Sequence, residues 1–296
     1  MTSDTSGWRH LYPSDASHYW KIGAYRYHYL DKGSGPVILC VHGNPTWSFY
    51  YREVVQRFSS THRVIVVDHI GCGLSDKPAR GEFDYSYVAH RNNVIGLMDQ
   101  LDLRDITLVA HDWGGAIGLG ASIERVDRMA GIVLLNTAAF PPPYIPWRIG
   151  ILRTPWLGTL AIRGLNAFAK PAISMAMSKT SLSSNVAQGL LYPYQNWHDR
   201  VAIDSFVRDI PMSPRHPTYR ALAQLEINLA RLAHLPKRLI WGMKDWCFRP
   251  DCLDRFVQHW PDAEVVKLSD VGHYVIEDDP ETTLHAIQDF VTRHKR

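Results

Sequence analysis

Cysteine is scarce, with four residues, Cys40, Cys72, Cys247 and Cys252, in a chain of 296. Their spacing fits neither a zinc-ligand pattern nor the density of a disulfide scaffold, so reduced thiols in mostly packing roles are expected, Cys40 inside an apolar strand. No stretch reaches the roughly 18 consecutive apolar residues that a membrane-spanning helix needs. The opening MTSDTSGWRHLYPSD holds no positively flanked apolar run, which argues against a secretory signal there and sets the expectation of a cytoplasmic protein. Charge of one sign is also lacking. The 32 basic and 29 acidic residues leave +3 with both signs scattered, so the chain shows no nucleic-acid footprint and no stripe for an acidic partner. Neither repeats nor low-complexity tracts occur, and no metal or organic cofactor is expected.

What is present is a large apolar fraction, 46% of the residues, enough for one large domain or a core with an insertion. Short apolar runs bounded by turn residues recur: VILCV at 37–41, VIVVD at 64–68, ITLVA at 106–110, GIVLLN at 131–136, RLIWG at 238–242 and EVVKL at 264–268. Runs without polar alternation predict strands buried on both faces of a parallel sheet. Segments of helical period lie between them, such as SYVAHRNNVIGLMDQL and PETTLHAIQDFVTRH. Alternating strand and helix predict the α/β class, a mostly parallel central sheet flanked by helices. The alternation breaks between about Ala138 and Leu235, far beyond an ordinary connection of roughly 2 to 6 residues. The expected division is therefore a core of residues 1–137 and 236–296 with a helical cap inserted at 138–235.

The stretch VAHDWGGAIG, residues 109–118, runs from an apolar strand through a turn of small residues into a helix. Ala110 two before Asp112 and Gly114 two after it give the small-x-nucleophile-x-Gly spacing of a strained strand-to-helix elbow, with aspartate where serine is usual. A helix starting at Trp113 aims its amides and positive dipole end at the carboxylate, which favours the charged form. Helix N-capping alone would also explain an isolated aspartate here. Partners argue for more: Asp245 follows the RLIWG run and His273 lies in SDVGHYVIEDDP, in the chain order nucleophile, acid, histidine and at the strand-end loops where α/β sheets do their chemistry. The loop VHGNPTWS at 41–48, directly after the first run, stands where this fold supplies its second oxyanion donor, so the Asn44 amide is expected to pair with the Trp113 amide. The side-chain N–H groups of Asn44 and Trp113 are neutral donors suited to a departing anion.

Together HGNPTW, DHIGCGLSDKP, AHDWGG, WGMKD and VGHY make the chain resemble the haloalkane dehalogenase family of α/β hydrolases, over nearly its whole length and least in the cap. The resemblance implies that Asp112 displaces halide by in-line attack on carbon and that His273 activates the water that cleaves the alkyl ester. It implies further that Asp245 orients the histidine and that Asn44 and Trp113 hold the halide. The bond chemistry agrees, because a carboxylate can attack an sp3 carbon and form an ester that a histidine base hydrolyses. Family members place the acid after one of two strands, and the earlier place here carries Asn136 in LLNTAAF. The pattern looks like the third subfamily, which includes the β-lactone decarboxylases of long-chain olefin biosynthesis. LRTPWLGTLAIRGLNAFA and RDIPMSPRHPT resemble those enzymes as well, so decarboxylation of a cis-β-lactone is the alternative to haloalkane hydrolysis. An apolar small molecule and halide are the expected partners, and the subfamily likeness implies homo-oligomers and peripheral membrane contact.

Three other readings compete. Epoxide hydrolases share the aspartate and HDWGG but need two cap tyrosines, for which Tyr144, Tyr192 and Tyr194 are candidates. Fluoroacetate dehalogenases carry arginines beside the nucleophile, where Trp113 and Gly114 stand here. A non-catalytic ligand receptor on this fold predicts a damaged triad, and this one is complete. His42 and His111 read as loop braces, and Asp68 and Asp76 as turn formers with Gly71 and Gly73. The basic, apolar stretch at 153–179 reads most simply as an active-site cover, and as a membrane or subunit contact otherwise.

Overall fold

A computed structural model of the protein describes residues 7–294. One sheet of eight strands forms its centre: β1 (Ser17–Ile22), β2 (Tyr25–Lys32), β3 (Val37–Val41), β4 (Arg63–Val67), β5 (Ile106–Asp112), β6 (Met129–Thr137), β7 (Lys237–Gly242) and β8 (Glu264–Leu268). Their spatial order is β1-β2-β4-β3-β5-β6-β7-β8, with β3 to β8 mutually parallel and β1 and β2 antiparallel at one edge. The six apolar runs are β3 to β8.

The runs lack polar alternation because both sheet faces are covered. Leu39, Val41, Leu108, Ala110 and Leu134 pack into one apolar cluster, and their neighbours Ile38, Cys40, Val109, Val133 and Leu135 into the other. Helices α2 (Tyr87–Gln100) and α3 (Trp113–Glu124) contribute Val94, Leu97 and Ile117 to the first cluster, whereas α1 (Arg52–Phe58) contributes Val54, Val55 and Phe58 to the second. β8 departs from the expectation of two buried faces. It is an edge strand, so its residues are only alternately covered and Val265 is 37% exposed. The β1–β2 hairpin was not expected either. Its strands, SHYWKI and YRYHYLDK, mix aromatic with polar residues and contain no apolar run, and the turn is Gly23-Ala24 with Gly23 at φ +58°.

Between β6 and β7 the chain forms α4 (Trp147–Leu152), α5 (Leu157–Thr159), a π-helical turn over Leu160–Gly164, α6 (Ala169–Met175), α7 (Ser184–Leu191), α8 (Val201–Asp209) and α9 (Pro217–Asn228). After β7 follow α10 (Pro250–His259), α11 (Val275–Asp278) and α12 (Pro280–Arg293). Sequence signals set both long predicted helices: Ser86 Oγ accepts the Ala89 amide at the start of α2, and Asp279 caps α12 ahead of Pro280. Among the described residues, no helix is long and apolar enough to cross a membrane.

Candidate active site

The elbow is strained at its centre. Asp112 ends β5 at φ 54° and ψ −132°, a left-handed region that a non-glycine residue adopts only when its surroundings hold it there. Two neighbouring glycines make room for it. A Cβ on Gly43 would sit 1.9 Å from Asp112 Oδ1, and one on Gly114 would sit 2.0 Å from the Val41 carbonyl. The Asp112 side chain makes no capping bond to the second or third turn amides of α3, so the simple N-cap reading fails. Its Oδ1 instead accepts the Asn44 amide at 2.6 Å, and the Trp113 amide is near enough to favour the charged carboxylate.

The other oxygen faces the histidine. His273 Nε2 lies 3.8 Å from Asp112 Oδ2, too far for a hydrogen bond, while its Nδ1 is 2.8 Å from Asp245 Oδ2. Asp245 is buried in turn by donors: the Cys247 amide reaches Oδ1 at 2.6 Å and Asn136 Nδ2 reaches Oδ2 at 3.0 Å. Asn136 also exchanges two bonds with the Gly242 backbone, which ties the ends of β6 and β7 together. A carboxylate so held fixes the imidazole with Nδ1 protonated and Nε2 free toward Asp112.

Burial and charge oppose one another here. Burial lifts the Asp112 pKa, and although His273 and the Trp113 and Asn44 amides pull it down, it ends above the ordinary value. The helix amides therefore act as expected but do not win. Burial works against a charged His273, yet the Asp245 carboxylate and, to a smaller degree, Asp112 raise its pKa overall.

Asp112, Trp113, Asn44 and His273 open onto one cavity of about 1080 Å³ including its mouth. The wall comes mostly from the segment between β6 and β7 and is apolar, with Pro142, Ile145, Ile149, Phe168, Ile210 and Leu222, joined by Trp246 and Phe248 from the loop after β7. Among the described residues neither arginine nor lysine lines it, which leaves no such cation there for a substrate carboxylate. Of the three cap tyrosines only Tyr144 lines it, and its hydroxyl is engaged by the Cys247 carbonyl at 2.5 Å. Tyr194 is buried with its hydroxyl donating to the Thr46 carbonyl, and Tyr192 packs at a tilt against Trp8. The pair of free tyrosine acids that epoxide opening requires is not formed.

Comparison with known proteins agrees with this geometry. A family model described as the α/β hydrolase fold matches residues 36–280. A cis-3-alkyl-4-alkyloxetan-2-one decarboxylase of Shewanella oneidensis is 36% identical over 93% of this chain and 88% of that relative. Haloalkane dehalogenase 2 of Mycobacterium tuberculosis is 32% identical, covering 94% of this chain and 95% of that one. The chain belongs to the haloalkane dehalogenase family of α/β hydrolases. Within the family, the solved structure of the dehalogenase DatA from Agrobacterium tumefaciens superposes with a TM-score of 0.84 at 25% identity, over 94% of this chain and 96% of that one.

All five site residues that the motifs single out for this family member, Asp112, His273, Asp245, Asn44 and Trp113, thus meet around one cavity or directly behind it. The Asn44 side chain has a further contact: its Nδ2 reaches the Ile203 carbonyl on α8 at 3.3 Å, which engages one of its two N–H bonds with the cap. His42 and His111 are braces, His42 bonding the Gly43 carbonyl and His111 the His273 carbonyl. Asp68 is more than a turn former. It is fully buried, bonded to His28 Nδ1 and to the amides of Ser48 and Leu74, and so anchors the loop that carries Asn44. Asn136, which the motifs mark only as the residue at the earlier acid position, braces Asp245 from the carboxyl end of β6.

Proposed function

We propose that the chain opens an apolar electrophile with Asp112 as nucleophile under a cap formed by residues 138–235, and that haloalkane hydrolysis is the reaction this geometry supports. The observation that carries it is the unequal treatment of the two carboxylate oxygens: Oδ1 is held by the Asn44 amide at 2.6 Å while Oδ2 faces the cavity and His273. Oδ2 attacks the sp3 carbon in line, the carbon–halogen bond breaks, and the halide leaves with its electron pair toward the side-chain N–H groups of Asn44 and Trp113. The ester carbonyl is then Oδ1. His273 Nε2 takes a proton from water, the water oxygen adds to the Asp112 carboxyl carbon, and the two amides hold the charge that gathers on Oδ1. The alcohol departs with Oδ2 and the proton held by His273, and the water oxygen completes a new carboxylate as its second proton passes to solvent. Asp245 keeps the imidazole oriented throughout.

A second reading is favoured by two observations. The decarboxylase relative is more similar than the dehalogenase, 36% against 32% identity, and the long apolar wall from Pro142 to Leu222 gives alkyl chains a continuous surface. A cis-β-lactone carrying such chains would lose CO2 and leave an alkene with no water consumed. We hold it as the candidate natural substrate on the same site.

Bromide release from 1-bromobutane and a longer bromoalkane, and alkene formation from a long-chain cis-β-lactone, each with Asp112→Ala as blank, test both readings. Bromide release lost in the variant supports the dehalogenase. Alkene formation with only trace bromide supports the decarboxylase. Silence in both assays overturns the proposed role of Asp112.

The cap also exposes apolar residues on its outer side, Trp156 at 88%, Leu165 at 73% and Trp147 at 68%. With Arg148 stacked on Trp147 beside them, this face favours peripheral contact with an anionic membrane surface by a cytoplasmic enzyme.

A further inference from the structure

One buried carboxylate outside the triad joins the cap to the loop of the histidine. Asp278, at the end of α11, is fully buried. Its Oδ2 accepts the amides of Gly272 at 2.7 Å and Ser178 at 2.9 Å. Its Oδ1 accepts those of Lys179 at 3.0 Å and Thr180 at 2.7 Å, and the Thr180 hydroxyl at 3.2 Å. Gly272 precedes His273 directly, and the other three residues belong to the insertion, so one side chain spans about a hundred residues of sequence. Two more bonds fasten the same stretch: the Tyr274 amide donates to the Ala176 carbonyl at 2.9 Å and Trp246 Nε1 to the Met175 carbonyl at 2.9 Å. The residues that begin the chemistry, Asp112 and Trp113 at the junction of β5 and α3 and Asn44 after β3, sit on other segments and receive no bond from Asp278.

We propose that Asp278 is a positioning residue that latches the cap to the loop of His273, so that hydrolysis of the Asp112 ester depends on the latch while formation of the ester does not. The inference rests on the ester chemistry proposed above. Ester formation needs Oδ2, the electrophile and the leaving-group donors, none of them bonded to Asp278, and the one bond from a donor to the cap, Asn44 to the Ile203 carbonyl, is made on α8 and not on the latched stretch 178–180. Hydrolysis needs His273 Nε2 aligned on a water, which takes a fixed loop. A carboxylate accepting donors from both sides holds that alignment only while both sides are present, and an asparagine with its oxygen at the Oδ2 place still accepts Gly272 and Ser178 but turns its NH2 group against the Lys179 and Thr180 amides, which loosens the cap side of the latch.

Wild type, His273→Ala and Asp278→Asn are mixed with 1-bromobutane, and the bromide burst and the alkylated protein are followed by rapid quench and intact-protein mass spectrometry. His273→Ala is expected to trap the butyl ester. Asp278→Asn is expected to release bromide in its first turnover at the wild-type rate and to accumulate about tenfold more ester than wild type, because its second step is slowed. No ester in His273→Ala overturns the ester chemistry and the latch with it. Ester in His273→Ala but none beyond wild type in Asp278→Asn overturns the latch alone, as does an equal loss of both steps. Should Asp278→Asn lose its cooperative thermal transition, Thr180→Pro, which removes both Thr180 donors and leaves Gly272 bonded, is expected to give a smaller accumulation of the same kind, and its absence overturns the latch.

Discussion

At His273 burial and a neighbouring charge act in opposite senses, and the outcome sets when the base is available. The raised pKa means that the imidazole keeps its proton to higher pH than a free histidine, so the neutral form grows in only as pH climbs through that raised value. Ester hydrolysis should therefore rise with pH along one limb. Asp112 adds a requirement of the same sign, since its own raised pKa must also be passed before the nucleophile is ionised. Asp245→Asn removes the charge that lifts the histidine and leaves the burial that lowers it, so the limb of the second step should move to lower pH. The maximal rate should fall roughly 10²- to 10⁴-fold as the tautomer is lost. Single-turnover decay of the alkylated enzyme across pH reads both effects, and an unmoved limb would show that Asp245 does not set the histidine. How much of this was legible in sequence differs by residue. Asp112, Asp245 and His273 could be read from motif spacing and chain order. Asn136 and Asp278 could not, because their meaning lies in partners 109 and about 100 positions away that only the folded sheet brings near.

The strands buried on both faces announced themselves as continuous apolar runs, whereas the β1–β2 hairpin did not, because β1 is a largely exposed edge strand and the buried positions of β2 hold Tyr27, His28, Tyr29 and Leu30, polar atoms among them. Aromatic enrichment in Tyr25, Tyr27 and Tyr29 beside a two-residue turn at Gly23 was the available signal. Among the cap elements, α8 shows how the insertion is attached. Asp204 is fully buried and accepts Arg80 Nη2 at 3.0 Å from the core, with Arg208 and Thr159 completing its shell from the cap itself. Asp209 at the end of α8 accepts the Tyr87 amide at 2.7 Å, and Asn44 reaches the Ile203 carbonyl, one residue before Asp204. Arg80→Ala cuts the first tether while leaving Asp204 paired within the cap. Because the Arg80 side chain is 43% exposed, solvent screening limits the loss to about 1 kcal/mol in urea-melt stability. The larger signature should be faster proteolysis within residues 138–235. A variant as resistant as wild type would show that α8 is seated by packing alone.

At the scale of the whole molecule, the apolar surface is unevenly placed. Trp147, Ile151, Trp156, Leu157, Leu160 and Leu165 are exposed within nineteen residues of the cap, whereas large exposed apolar residues on the core, such as Tyr19 and Val265, stand singly. Scattered apolar residues are ordinary on a soluble surface, but a contiguous group on one face marks a contact. The inner side of the same segments lines the cavity through Ile149 and Phe168, so the substrate side and the outer side of the cap are both apolar. An apolar substrate partitions into lipid, and a cap pressed against the headgroup region would open toward its supply. Tryptophan and arginine side by side suit that boundary, the ring at the interface and the cation toward anionic headgroups. The protein should therefore co-sediment with phosphatidylglycerol vesicles and much less with phosphatidylcholine vesicles, the difference vanishing at high salt. Trp156→Glu with Leu157→Glu should weaken vesicle binding at least about tenfold, since each side chain loses on the order of 1.5 kcal/mol or more of apolar transfer. Bromide or alkene release in detergent-free solution should be unchanged, because neither residue lines the cavity. Equal binding to both vesicle types would remove the electrostatic part of the reading. No vesicle binding, with light scattering showing assemblies that the double variant dissolves, would assign the face to a second copy of this chain.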